Sequence, residues 1–317
     1  MVNISRRVAV VVIGLPLVLV SCKATSKPSS SVISPQSPPS VSSTPTLASA
    51  VDQPLPLDGY LLSPQQSSAI GNAYTVLLSR CMARFGFTQP LPDVGGPNPN
   101  YGPSSSLRIS GHFGPQSASF AARWGYHPEG GLPADDPVLS VPKVTPEMAT
   151  ALSGSSTRQK FGPGGQVING QQVPDHGCVG EANKRLTGAV DGSAGVDAQL
   201  ATDLEFETMT SSEQDSRVRA VFAKWSACMA NRGYHYADPL AALDDPQWGQ
   251  TRLATQKEIQ TAVADQACRQ ENNVVGVWYA VDYAYEKQAV DAHAEALGDV
   301  IANIQAQLNA AAQAMTE

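Results

Sequence analysis

What most constrains this chain is a pair of cysteines that occurs twice. Arg80-Cys81-Met82-Ala83-Arg84-Phe85-Gly86-Phe87 lies over Ala227-Cys228-Met229-Ala230-Asn231-Arg232-Gly233-Tyr234. Further on, Asp175-His176-Gly177-Cys178-Val179-Gly180-Glu181-Ala182-Asn183 lies over Asp265-Gln266-Ala267-Cys268-Arg269-Gln270-Glu271-Asn272-Asn273. The shared pattern is C-M-A-x-x-G-[FY], a variable span, then D-x-[GA]-C-x-x-E-x-N. The two cysteines are separated by 97 positions in the first copy and 40 in the second. A Gly/Pro-rich insertion accounts for the difference. In an oxidising compartment four such cysteines read as two disulfides, with three connectivities open. Their repetition in the same order predicts Cys81 with Cys178 and Cys228 with Cys268. No C-x-x-C and no His-x(3–5)-His accompanies them, so no metal site is expected.

The N-terminus predicts that oxidising compartment. Arg6 and Arg7 precede an apolar run over 8–20 that only Gly14 and Pro16 interrupt. The run is too short for a permanent membrane span and suits the apolar region of an export signal. Its end, Leu19-Val20-Ser21-Cys22, resembles the lipobox of bacterial lipoproteins. The resemblance implies cleavage before Cys22 and a diacylglycerol on its sulfur, with residues 1–21 as signal peptide. Two acyl chains hold a protein on a bilayer where one alone anchors marginally. The expected partner is therefore the membrane, through the lipid on Cys22, with attachment at the extracytoplasmic face. Losing residues 1–21 removes two arginines and no acid, which takes the formal charge from −7 to −9. An acidic chain gives no electrostatic reason to expect nucleic acid.

Residues 22–58 are dominated by Ser, Pro and Thr, as in Ser37-Pro38-Pro39-Ser40 and Ser42-Ser43-Thr44-Pro45. Such a stretch predicts a disordered tether. Helical patterning begins at Ser63, where Pro64 and Gln66 complete a capping box. Ile70, Ala73, Tyr74, Leu77, Leu78, Cys81, Met82 and Phe85 then recur at helical spacing before Gly86. Between 88 and 174, Gly95-Gly96-Pro97 and Gly162-Pro163-Gly164-Gly165 mark turns, with short helices expected near 116–123 and from Thr145 to Gly154. Asn169-Gly170 predicts a hairpin within 167–173. Further helices are expected over 178–187, 197–209 and from Ser211 or Ser212 to Asn231. Thr255-x-x-Glu258 predicts a second capping box, and 274–314 a long helix with Trp278, Val281, Tyr285, Ala292, Leu297, Ile301, Ile304 and Leu308 along its seam. The expected fold is thus mainly α: a disulfide-stapled helical body with internal duplication, a Gly/Pro-rich insertion and a long C-terminal helix. Residues 59–190 would form the first helical repeat and 191–317 the second.

The C-M-A-x-x-G-[FY] helix end, Thr255-x-x-Glu258-Ile259 before Asp265-x-x-Cys268, and Val277-Trp278-Tyr279-Ala280-Val281 together resemble a group of exported actinobacterial lipoproteins, over roughly 60–300. That resemblance implies a fold-stabilising role for Cys81, Cys178, Cys228 and Cys268, and implies no reaction. As catalytic groups, Asp175, Glu181, Asp265 and Glu271 would suit paired-acid hydrolysis, but acids in the first turns of two helices also answer to the helix dipole. His112, His127, His176, His235 and His293 are scattered; His127 and His235 each follow Gly-Tyr and suit polar positions at helix exits better than a shared metal site. Trp225 and Trp278 fall on apolar helix faces, whereas Trp124 and Trp248 lie in loop-rich sequence and are the candidates for exposed contacts. No catalytic residue and no cofactor is expected. The functional expectation is a non-enzymatic envelope lipoprotein with a cell-wall or envelope protein partner. A lipoprotein binding a wall fragment or small solute is the alternative, and a wall hydrolase the third.

Overall fold

The structure, a computed structural model, describes residues 38–89, 113–114, 117–133, 144–155, 161–193 and 199–317. The signal segment, Cys22, the first part of the expected tether, Gly95-Gly96-Pro97 and His112 lie outside the described residues. The fold is mainly α. Its helices are α1 (Pro64–Arg84), α2 (Ala118–Trp124), α3 (Pro146–Ser153), α4 (Gly177–Thr187), α5 (Leu200–Gln214), α6 (Ser216–Asn231), α7 (Pro239–Leu243), α8 (Gln256–Glu271), α9 (Val274–Ala292) and α10 (Ala294–Ala314). One hairpin, β1 (Val167–Ile168) with β2 (Gln171–Gln172), completes the described elements, together with short 3-10 turns at Pro56–Tyr60 and Trp248–Gln250.

Local chemistry sets the helix ends. Ser63 Oγ accepts from the Gln66 N–H and the Gln66 side chain accepts from the Ser63 N–H, so α1 opens on a reciprocal capping box. It closes at Phe85, with Gly86 left-handed and the Phe87 N–H returning 3.1 Å to the Met82 carbonyl. α6 closes in the same way: Gly233 is left-handed and the Tyr234 N–H lies 3.0 Å from the Met229 carbonyl. The hairpin turns through Asn169 and Gly170, both at positive φ, and Asn169 Nδ2 donates to the Phe85 carbonyl at 2.7 Å. The hairpin is thereby fixed to the end of α1.

Both disulfides are present. Cys81–Cys178 joins the last turn of α1 to α4 with Cα atoms 5.6 Å apart, and Cys228–Cys268 joins the last turn of α6 to α8 at 5.7 Å. Each lies beside a core. The first core gathers α1, α3, α4, the start of α5 and α10 around Ile70, Leu78, Met82, Phe85, Met148, Leu152 and Leu297. The second gathers α6 to α9 around Phe222, Trp225, Met229, Cys268 and Trp278. Burying side chains of this size contributes up to about 1.5–3 kcal/mol each. Since α10 packs on α1 and α4, the last helix of the chain belongs with the first core. The boundary expected at 190/191 separates the two motif copies, but it does not separate the cores.

Three expectations are corrected. The break expected near 210, between the helix over 197–209 and the one reaching Asn231, falls instead at Asp215, whose side chain caps α6 by accepting from the Arg217 N–H at 2.9 Å. Ser212, expected at the start of the following helix, is buried inside α5, where its hydroxyl accepts from Trp278 Nε1 at 3.1 Å. The long helix over 274–314 is two helices, because His293 leaves helical geometry at φ −119 and ψ 22. That break directs Leu297, Val300, Ile304 and Ala311 into the first core; Ala292 and Ile301, expected on the seam, are exposed. Finally, residues 38–58 are not a free tether. Leu55 and Leu57 are buried, and five main-chain groups of this segment bond to side chains of the body. Composition missed this because what the segment lacks in apolar side chains is supplied by partners far along the chain.

Candidate functional site

The densest chemistry among the described residues is a buried network built on α8. Thr255 caps that helix through its side-chain oxygen, which accepts from the Glu258 N–H at 3.2 Å. The Glu258 carboxylate does not return the bond. It turns inward instead, is fully buried, and accepts from the Tyr126 N–H at 2.9 Å through Oε1. The same oxygen lies 2.6 Å from His127 Nδ1, while His127 Nε2 lies 2.7 Å from the Thr251 carbonyl. Both ring nitrogens face acceptors, so the ring donates from both and stands as an imidazolium against Glu258. Burial alone would lower the affinity of this ring for its proton. The Glu258 hydrogen bond, the Thr251 carbonyl and the Glu258 charge outweigh burial and hold the His127 pKa above its ordinary value. Gly125 makes the approach possible: its φ is +62, and a Cβ there would sit 2.7 Å from Glu258 Oε1.

Two turns along α8 is Asp265, also fully buried. It accepts from Trp225 Nε1 at 2.8 Å, from Arg269 Nε at 2.7 Å and from the Tyr126 hydroxyl at 3.1 Å. The Arg269 guanidinium, 1% exposed, also donates through Nη1 to the Phe113 carbonyl at 2.8 Å and through Nη2 to the Pro239 carbonyl at 3.3 Å. Burial first, and then the Asp265 charge, raise the Tyr126 pKa, so this phenol stays neutral and donates. Tyr126 also stacks on Trp248, with centroids 5.7 Å apart. The network therefore bolts α2 and the loop after it to α8, α6 and α7. Such a set of internal partners positions elements; its hydrogen bonds join one member to another rather than facing a cleft, and Glu258 Oε2 is left buried without a hydrogen-bond partner among the described residues.

The sequence-flagged residues fall in different places. Near the two disulfides, Glu181 is half-buried and Glu271 exposed, paired with Arg84 and with Arg232 respectively. Asp175 pairs with its neighbour His176 at 2.8 Å, whereas its counterpart Asp265 is interior. The four acids are thus split between surface and core. His127 is buried and His235 and His293 are exposed, so the two Gly-Tyr-His sequences play different parts. Trp248 is only 6% exposed, and its Nε1 donates to the Ala242 carbonyl at 2.7 Å, which overturns its reading as an exposed contact. Trp124 is half-buried with Arg123 above its ring. Trp225 and Trp278 are core residues as expected.

Sequence reasoning missed Tyr126, the His127–Glu258 pair and Arg269. The i,i+4 spacing of Asp265 and Arg269 on one helix was the available signal for the last. Among the described residues no group of three or more His, Cys, Asp or Glu is assembled as for a metal. Open grooves do occur at the surface. One of about 400 Å³ runs between the Pro56–Tyr60 turn, the start of α1 and α10, and one of about 280 Å³ lies between 40–45 and α9. Comparison with protein-family models, with curated proteins and with solved structures returns no match for this chain.

Proposed function

We propose that this chain is a lipid-anchored envelope lipoprotein that acts as a non-enzymatic interaction or scaffold module. The observation that carries this reading is the division of its five cysteines. Four are paired in the body as two disulfides, and the fifth, Cys22, closes an apolar run in a lipobox-like sequence. Disulfides persist in oxidising compartments outside the cytoplasm, which agrees with export. No helix among the described residues is long and apolar enough to cross a membrane, and the lipid would supply the attachment. The non-enzymatic part of the reading is supported by where the polar groups go. Glu258, Asp265, Arg269 and His127 bond to each other and to backbone carbonyls, as joints between helices do. The expected partners are the membrane through the lipid and a wall or envelope protein through the surface of the body. Kinship with exported actinobacterial lipoproteins, drawn from the repeated cysteine motif, stands as part of the same proposal.

The test is membrane fractionation of the full chain against Cys22→Ala, with mass analysis of the N-terminal peptide. The wild-type chain is expected in the membrane fraction with a diacylglycerol mass on Cys22, and the variant in the soluble fraction. A Cys22→Ala chain that remains with the membrane overturns the anchor. Envelope pull-down with the intact lipoprotein then reads the partner.

A further inference from the structure

We propose that residues 38–49 form a releasable strap, gripped on the body by Asn273 and continuous with an anchor held by the buried side chains of Ala50, Leu55 and Leu57, so that the leash between lipid and body has a short and a long state. The leash part rests on the lipid anchor at Cys22; the docking of the strap does not. Asn273 is the last residue of the repeated D-x-[GA]-C-x-x-E-x-N motif. It precedes α9 at φ +51, and its amide side chain faces the strap with both of its polar atoms. Nδ2 donates to the Pro45 carbonyl at 2.9 Å and Oδ1 accepts from the Leu47 N–H at 3.1 Å. A side-chain amide used in this way mimics a neighbouring strand and recognises extended backbone irrespective of side chain. In the first motif copy the equivalent Asn183 donates to the Val190 carbonyl just beyond its own helix. Among the described residues, only the second copy's asparagine reaches across to a distant segment.

Gly276 makes that reach possible. A Cβ at this position would lie 2.0 Å from the Pro45 carbonyl oxygen and 2.4 Å from Asn273 Oδ1. Around this grip the strap is held by Arg217, which donates to the Pro39 carbonyl at 3.0 Å. Farther along, the Tyr279 hydroxyl donates to the Pro54 carbonyl at 2.7 Å and the Leu57 N–H donates to Glu286 at 2.8 Å. Burial divides the segment. From 38 to 49 only Val41 and Leu47 pack against the second core, and both are half-buried, whereas Ala50, Leu55 and Leu57 are buried. Segments with few buried apolar contacts open at lower free energy than the core, so 38–49 opens first and independently. Release of 38–49 adds about 40 Å of chain in a polyproline II conformation. A pull along the chain, or a partner that takes the Pro-rich strand, would draw out that reserve without unfolding the body.

Amide hydrogen exchange on the full chain tests this, with Leu47 reporting the strap and Leu57 the anchor. In the wild-type chain Leu47 is expected to be protected, yet to exchange at least about tenfold faster than Leu57. Asn273→Gly removes the grip while keeping a residue at ease at positive φ, and should speed Leu47 by about tenfold with Leu57 and α9 unchanged. Gly276→Ala should do the same by collision; if it prevents folding, Asn273→Gly decides alone. Leu47 exchanging at the rate of an unstructured chain in the wild type overturns docking. Leu47 and Leu57 exchanging together in wild type and variant overturns release independent of the body. Because exchange does not depend on acylation, failure of the anchor in the Cys22→Ala fractionation is distinguishable from failure of the strap.

Discussion

Replacing His127 by Leu should cost the protein far more than the volume change implies. The substitution removes the hydrogen bond to Thr251 and leaves the Glu258 carboxylate, fully buried, with the Tyr126 N–H as its one remaining hydrogen-bond donor among the described residues. Breaking one side of a buried ion pair costs about 3–5 kcal/mol, because the uncompensated charge dominates. Glu258→Met should cost less, about 1–3 kcal/mol, since the imidazole then drops its proton and keeps a donor for Thr251 while the Tyr126 N–H loses its acceptor. The double variant removes both charges together and should cost about as much as Glu258→Met alone. The coupling energy from the double-mutant cycle then equals the cost of His127→Leu, about 3–5 kcal/mol. Denaturant unfolding followed by circular dichroism, with both disulfides intact, measures all four corners. A coupling below about 0.5 kcal/mol would refute the pair as a charged joint. The pH dependence gives a second reading. His127 has a raised pKa in the fold, so its stabilisation is fully present below its unfolded value of about 6.5 and is lost as pH rises through the folded value. Wild-type stability should decline between neutral and alkaline pH more than that of His127→Leu; parallel profiles would exclude the imidazolium.

Other outcomes follow from the same structure. Cys81 and Cys178 close a separation of 97 residues and Cys228 and Cys268 one of 40, which on chain entropy are worth about 5 and about 4 kcal/mol. Cys81→Ser/Cys178→Ser should therefore lower the unfolding midpoint more than Cys228→Ser/Cys268→Ser, as calorimetry would show; the reverse order would place the larger effect in native packing. At the acid side, the Arg217 hydrogen bond chiefly, with the Arg217 N–H, its charge and Tyr285, lowers the Asp215 pKa against an opposing effect of burial. Its contribution is present above the unfolded pKa of about 3.9 and lost as pH falls through the lower folded value. Asp215→Ala should cost about 1–2 kcal/mol at neutral pH and less at pH 2, read by unfolding at both.

Local elements were legible in the amino-acid order alone. Ser63, Pro64 and Gln66 placed the start of α1, Gly86 and Gly233 placed two helix ends, and Asn169-Gly170 placed the hairpin, because each depends on bonds within a few residues. Repetition of the cysteine motif likewise foretold which sulfurs would meet. Whatever depends on a distant partner was left to the folded chain. No glycine or proline marks the break at His293, which follows from α10 burying Leu297 and Ile304 against the first core. Glu258 carries a capping-box signature, yet His127 lies 131 residues away and outcompetes the nearby cap for its carboxylate. The Ser/Pro-rich residues 38–58 read as a tether on composition, but Asn273, Arg217, Tyr279 and Glu286 hold their main chain. Hydrogen-bond groups of the backbone are nearly the same in every sequence, so only the fold shows which of them find partners.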